Sequence, residues 1–417
     1  MRMGFLTGLS ASLLTLGGWA VAVPAEAAPA STVVTCGQTI TASTRVANDL
    51  VDCPGDGLVI GADNITLDLA GHSISGINAP DSEGIADDGH GGVTIEKGTI
   101  SNFFLNGIGL RSAPGSAVSK MTIRQIGAGG VQGETSAGVL VKESPNTSVS
   151  KTMVSNDVSA FQSDGVDVLF SARAVISGNR LTRNAWDGMF VFFSPGTRVV
   201  GNTLDGNQNQ GVEVNSGSGH ILLAGNDAAG NGSNGLVVGA ISGAQIWHNT
   251  LTGNGASGLF MFDLLHSSIS HNRAHANGVG IDLEGGQHGS RGDLVMNNDT
   301  SRNDFAGLVI ANGSNNNLVA GNLSNANQGS PGNGGGIVLL SVTGNTVRGN
   351  VANLNLSVGI GVFEGNPGDS AGNVVTDNVA NSNHAHGIDV VTGTIDGGGD
   401  IAHHNTPPPD CLGVVCA

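Results

Sequence analysis

Five consecutive segments decide the fold: Gly188-Met-Phe-Val, Gly211-Val-Glu-Val, Gly235-Leu-Val-Val, Gly258-Leu-Phe-Met and Gly280-Ile-Asp-Leu. Each opens on glycine and then alternates an aliphatic residue with a variable one, the two-residue period of a strand with one buried face. These glycines stand 22 to 24 residues apart, and the pattern extends outward in both directions. It recurs at Gly57, Gly84, Gly107, Gly138 and Gly165 on one side, and at Gly307, Gly336, Gly359 and Gly387 on the other. Intervals of 27 to 31 residues imply loops inserted at a corner of the unit. A fixed period of this size is a repeat architecture.

Asparagines five residues apart run in phase with the glycines: Asn179/Asn184, Asn202/Asn207, Asn226/Asn231, Asn249/Asn254 and Asn272/Asn277. They continue as Asn298/Asn303, Asn322/Asn327, Asn350/Asn355 and Asn378/Asn383. Two structural roles are expected of them. Asparagine tolerates the left-handed backbone of a sharp corner, and identical amides stacked coil on coil can hydrogen-bond as a ladder. The glycines are likewise expected at turns, and short β-branched strands between Gly and Asn turns cannot be helices. The expected fold is therefore all-β, a single right-handed parallel β-helix of about fourteen coils, one for each glycine-led strand. At about 4.8 Å per coil the rod would be on the order of 65 Å long.

Composition agrees. The chain has 417 residues and 68 glycines, with 12% charged and 4% aromatic residues, too little bulky apolar material for several compact cores. Its 39% hydrophobic content is too high for a disordered chain. A solenoid of thin aliphatic coils with tight corners meets both limits.

The N-terminus has the features of an export signal: Arg2, a mostly apolar run from Leu6 to Val23, and the small-residue site Ala25-Glu26-Ala27. The expected layout is a signal peptide over 1–27, an N-terminal cap over 28–56, the β-helix over 57–400 and a C-terminal cap over 401–417. Cys36 and Cys53 lie near one end, and Cys411 and Cys416 at the other. Two local pairs in an exported chain point to disulfides that staple the ends of the solenoid. A zinc site is the alternative, but two distant pairs of unlike spacing suit it poorly. A secreted, extracellular monomer is expected. The net charge of −17 argues against nucleic acid and anionic membranes as partners, and against unaided binding of polyanionic sugars.

The opening Cys36-Gly…Cys53-Pro-Gly…Gly61-Ala-Asp-Asn-Ile-Thr-Leu-Asp-Leu-Ala-Gly-His-Ser-Ile-Ser-Gly76 resembles the start of secreted bacterial proteins with parallel β-helix repeats. These belong to the pectin-lyase-like superfamily and include the NosD-like repeat group. The resemblance implies the fold and leaves the activity open, because that superfamily holds lyases, hydrolases, epimerases and adhesins. Asp87-Asp88-Gly-His90-Gly superficially resembles two polygalacturonase signatures, but fused in one early segment, and is read as chance. The copper role attached to the NosD-like label finds no support in the scattered, mostly inward methionines.

Counting from each glycine, positions +1 and +3 point inward and +2 and +4 outward. The outward residues are Gly109/Arg111, Leu140/Lys142, Asp167/Leu169, Phe190/Phe192 and Glu213/Asn215, then Val237/Gly239, Phe260/Phe262 and Asp282/Glu284. Acids thus alternate with exposed aromatic pairs along the middle of one face. Phe190, Phe192, Phe260, Phe262 and Asn215 are expected to bind a substrate, flat rings being suited to the apolar faces of sugars. Asp167 and Glu213 stand two coils apart, about 9 to 10 Å, near the carboxylate separation of inverting glycosidases. Asp282 and Glu284 share one strand, roughly 7 Å apart, as a second pair. Either pair could serve as general acid and base, or hold calcium. No cofactor is required.

The expected partner is a polysaccharide or cell-surface glycan, and the leading function is glycan binding or hydrolysis. A calcium-dependent lyase is a rival, with Lys142 abstracting a proton beside Arg111. A non-catalytic scaffold or adhesin that merely presents loops is another. His248 and His271 should stack on adjacent coils, and His384, His386, His403 and His404 have a spacing that could gather a metal.

Overall fold

The computed structural model describes residues 30–127, 136–155, 163–330 and 334–417; the stretch read as a signal peptide lies outside them. Every described element is a strand, and every pairing is parallel. The glycine-led strands stack into a 16-stranded sheet. It holds the fourteen expected from the repeat plus Gln38–Ile40 before them and Cys411–Leu412 after, so the solenoid has about 15 turns. Segments read as caps therefore extend the stack. A 20-stranded sheet and a shorter three-stranded one, prolonged by isolated bridges from Arg273 to Ile401, form the other walls. Each coil is one rung of the stack.

The core follows the period-two pattern. Val166 and Val168, Met189 and Val191, Val212 and Val214, Leu236 and Val238, and Ile281 and Leu283 are all fully buried at +1 and +3. Each lies over its equivalent on the next rung, so the interior is one continuous aliphatic column.

Two expectations about the corners need correction. The leading glycines are not turn residues. A Cβ on Gly188 would stand 2.5 Å from the carbonyl oxygen of Gly211 and 2.8 Å from Asn207 Nδ2, so glycine lets the next rung approach. The asparagines are not the left-handed residues either. That conformation falls on the residue just before each of them, as at Gly178, Gly201, Gly225, His248 and His271. The asparagine itself points inward and is buried.

The ladder role is the real one. Asn226 donates its backbone N–H and its Nδ2 to Asn249 Oδ1 at 2.9 and 3.0 Å. Asn249 repeats both bonds to Asn272, and Nδ2 of each also reaches a backbone carbonyl one rung back. One ladder runs from Asn179 to Asp400 and a second from Asn184 through Asn405 to Asp410.

Cys36 is bonded to Cys53 and Cys411 to Cys416, with Cα–Cα distances of 5.4 and 6.2 Å. Closed disulfides at both ends are the chemistry of an oxidising compartment. No described helix is long and apolar enough to cross a membrane.

Candidate functional site

The outward columns align as the repeat requires. Asp167 lies beside Phe190, Phe190 beside Glu213, Phe260 beside Asp282 and Phe262 beside Glu284. Asp167 and Glu213 are thus two rungs apart with an aromatic ring between, about 9.5 Å along the stack. The phenylalanines are half-buried rather than fully exposed, because they cover one another. Phe190 stacks on Phe192 with centroids 6.0 Å apart, and Phe260 and Phe262 lie 5.8 Å apart.

This column separates into an inner and an outer set of acids. Asp167 is fully buried, together with Asp164 and Asp187. The carboxyls of Asp164 and Asp167 are hydrogen-bonded to each other, and Asp164 Oδ1 accepts the Asp187 backbone N–H at 2.8 Å. Burial first, then the neighbouring Asp167 charge, holds the Asp164 carboxyl well above the usual range. Burial and then Asp164 push Asp187 up to about 8. Burial also raises half-buried Glu213, while Asn215 Nδ2 donates to it at 3.1 Å.

Asp282 and Glu284 form the outer set, both half-buried on the strand Val279–Glu284. Burial, then the Glu284 charge, pushes Asp282 up to about 7. Asp282 Oδ1 has no hydrogen-bond partner among the described residues. Just past this strand end lies a groove of about 590 Å³, lined in part by Asp263, His288 and Arg291. Asp263, the residue after Phe262, accepts the backbone N–H groups of Gln287, His288 and Gly289 and shapes that wall.

The remaining candidates are dispersed. Arg111 is paired with Glu83 and reaches Asp88 at 3.4 Å. Lys142 is exposed beside it on the next rung. The rings of His248 and His271 lie 5.2 Å apart, stacked on adjacent rungs as expected. His386 Nδ1 lies 2.6 Å from the Pro409 carbonyl. Among the described residues no three His, Cys, Asp or Glu side chains come together so as to hold a metal ion. That applies to the C-terminal histidines and to both acid sets.

Two groups escaped the reading of +2 and +4. Asp164 and Asp187 occupy −1, immediately before the glycine, where Asp56, Glu83 and Asn106 stand on earlier rungs. From Asp56 to Ser257 the −1 residue is polar on every rung except that of Ala137, and that run was the available signal. Phe170 and Phe193 occupy +5, with φ of 52° and 45°, and are about half exposed. Their rings stack 5.7 Å apart, extending the aromatic strip of Phe190 and Phe192. A bulky residue in this conformation is uncommon, so a corner position gave no reason to expect an aromatic.

A family model described as periplasmic copper-binding protein (NosD) matches residues 126–299. No curated protein sequence matches the chain. The catalytic unit of a thermostable alpha-1,3-glucanase from Streptomyces thermodiastaticus is similar in structure, with TM-score 0.53 and 13% identity over 88% of this chain and 62% of that one. A periplasmic alginate epimerase gives TM-score 0.46 and 15% identity over 86% and 78% of the two chains. A mannuronan C-5 epimerase module from Azotobacter vinelandii gives 0.42 and 14% over 92% and 91%. At 13% identity the likeness to the glucanase is one of fold. By that fold the chain is a right-handed parallel β-helix.

Proposed function

We propose that the protein is an exported polysaccharide-processing β-helix that binds a neutral glycan along the strip from Phe190 to Glu284 and hydrolyses it at Asp282 and Glu284. One observation carries this reading: the two acids share a strand and each lies beside a phenylalanine of the preceding rung, with a groove walled by Asp263 and His288 near the end of that strand. Asp282, pushed up to about 7, keeps a proton to give to the leaving oxygen. Glu284, roughly 7 Å away along the strand, takes a proton from a water that adds to the anomeric carbon. That separation leaves room for the water and implies inversion. Neutrality of the glycan follows from the strip itself, which has no Lys or Arg at +2 or +4 from Asp167 to Glu284. The alpha-1,3-glucanase of similar fold is consistent with such a substrate, and the two disulfides are consistent with export.

The test incubates the mature protein with a polysaccharide panel, following reducing ends and ultraviolet absorbance together. New reducing ends without absorbance are expected. Asp282→Asn should lower kcat by about 100-fold or more, and Phe260→Ala should raise KM. Undiminished turnover in both Asp282→Asn and Glu284→Gln would remove these residues from the chemistry. Rising absorbance would mean elimination instead and turn attention to Lys142 and Arg111.

A further inference from the structure

The 20-stranded sheet has a basic concavity in a protein whose net charge is −17. Three neighbouring rungs build it, because Arg124 lies beside Ser155, and Met153 beside Arg180. Arg183 follows buried Thr182 on the third rung. The result is a groove of about 510 Å³ with three guanidinium groups, Gln125, Thr122 and Ser155 in its walls and no acid among its lining. All three arginines are exposed, and among the described residues none is in an ion pair. Thr203 lies beside Arg180, and Asp205, whose carbonyl accepts the Arg183 backbone N–H, is the acid on the next rung that the Arg180 charge reaches. Lys120 and Lys151 stand on neighbouring rungs at the adjoining corner, next to the paired Ser119 and Ser150.

Like charges on adjacent strands repel, and the chain has only 16 Lys and Arg to distribute. Gathering several around one hollow, without interleaved acids, makes sense when the counter-charge comes from a ligand. Guanidinium is suited to the task, since its planar fork pairs with a carboxylate through two parallel N–H···O bonds. Arg124 and the Arg180 rung are two strand spacings apart, about 9.5 Å. One small anion cannot meet both, whereas charges repeated along a polymer can.

We propose that this groove is a second binding site, separate from the Asp282 and Glu284 strip, that takes a linear uronate-bearing polysaccharide. It would anchor the protein to an acidic matrix while the other face handles a neutral chain. Calorimetry on the full mature protein at low ionic strength tests it, with an oligogalacturonate, a neutral gluco-oligosaccharide and inorganic phosphate as separate probes. The oligogalacturonate should bind, more weakly as salt rises. Arg124→Gln combined with Arg183→Gln should weaken it at least ten-fold at an unchanged Tm, while Arg273→Gln, on a distant rung, leaves it intact. Equal affinity in the double variant, or no binding at low salt, overturns the proposal. Phosphate binding as tightly as the oligosaccharide overturns the polymer part, because one rung would then suffice. Hydrolysis of a neutral glycan is read separately, so either site can fail alone.

Discussion

Two buried polar stacks run along this solenoid, and they differ in a single atom type. In the asparagine ladder every amide both accepts and donates, so Asn226, Asn249 and Asn272 satisfy one another without limit. In the stack before the glycines, Asp164 and Asp187 occupy equivalent positions but bring carboxyls, which accept only while ionised. Their remedy is to keep protons, which is why burial and mutual repulsion raise both. An amide stack therefore builds length at no electrostatic cost, and a carboxyl stack stores protonatable groups inside the wall. The acids lie beneath the aromatic strip around Phe190, whereas the amides run the length of the later rungs.

The largest effect should come from interrupting the amide stack. Asn249→Ala leaves the Asn226 backbone N–H without its acceptor and Leu223 O without the Nδ2 donor, and removes one of two partners from Asn226 Nδ2 and from Asn272 Oδ1, in a dry interior. At about 1 to 3 kcal/mol for each unsatisfied buried group, the loss should reach about 4 kcal/mol or more, read from the denaturant midpoint. An unchanged midpoint would show that the ladder decorates the core rather than holding it.

A carboxyl intruding into an amide stack supplies the next test. Asp293 is fully buried in a third column, where Ser267 N–H donates to its Oδ1 at 2.8 Å and its own N–H donates to Asn317. Its Oδ2 has no partner among the described residues, and burial pushes it up to about 7 from 3.8. The unfolded chain releases this proton near pH 4 and the folded chain only near pH 7. Stability should thus fall as pH rises between those values and level off above. Asp293→Asn places a donor where Asn317, Asn345 and Asn373 each reach a carbonyl one rung back. It should stabilise by up to about 4 kcal/mol at pH 9 and by little at pH 4. A gain independent of pH would mean that packing, not the proton, separates the two stacks.

The architecture was legible because it is periodic. A glycine every 22 to 24 residues, with aliphatics at +1 and +3, leaves one way to bury the strands. The same periodicity placed Asp167, Phe190 and Glu213 in one file and Asp282 beside Phe260. It could not say how far each outward side chain is covered. Asp167 lies at the same +2 position as Asp282 yet is fully buried, since depth depends on neighbours at −1 and on adjacent rungs rather than on the period. Phe170 and Phe193 were illegible for a related reason: corner residues are chosen one at a time, and no alternation marks them.

The smallest effect separates covalent closure from stacking. The last rung, Cys411–Leu412, pairs with Ile388 and Asp389 alone, and the second ladder ends there as Asn405 donates to Asp410. Replacing Cys411 and Cys416 by serine opens a loop with a sequence separation of 5, worth about 2 kcal/mol by chain entropy. Opening Cys36–Cys53, with a separation of 17, should cost about 3 kcal/mol. In a stack held by nearest neighbours the C-terminal change should fray only the final rungs. Hydrogen exchange would then show faster amides near Ile388 and unchanged ones near Asn249. If the Asn249 rung loosened as well, the amide ladder would depend on its end for order, and the self-sufficiency that distinguishes it from the carboxyl stack would be lost.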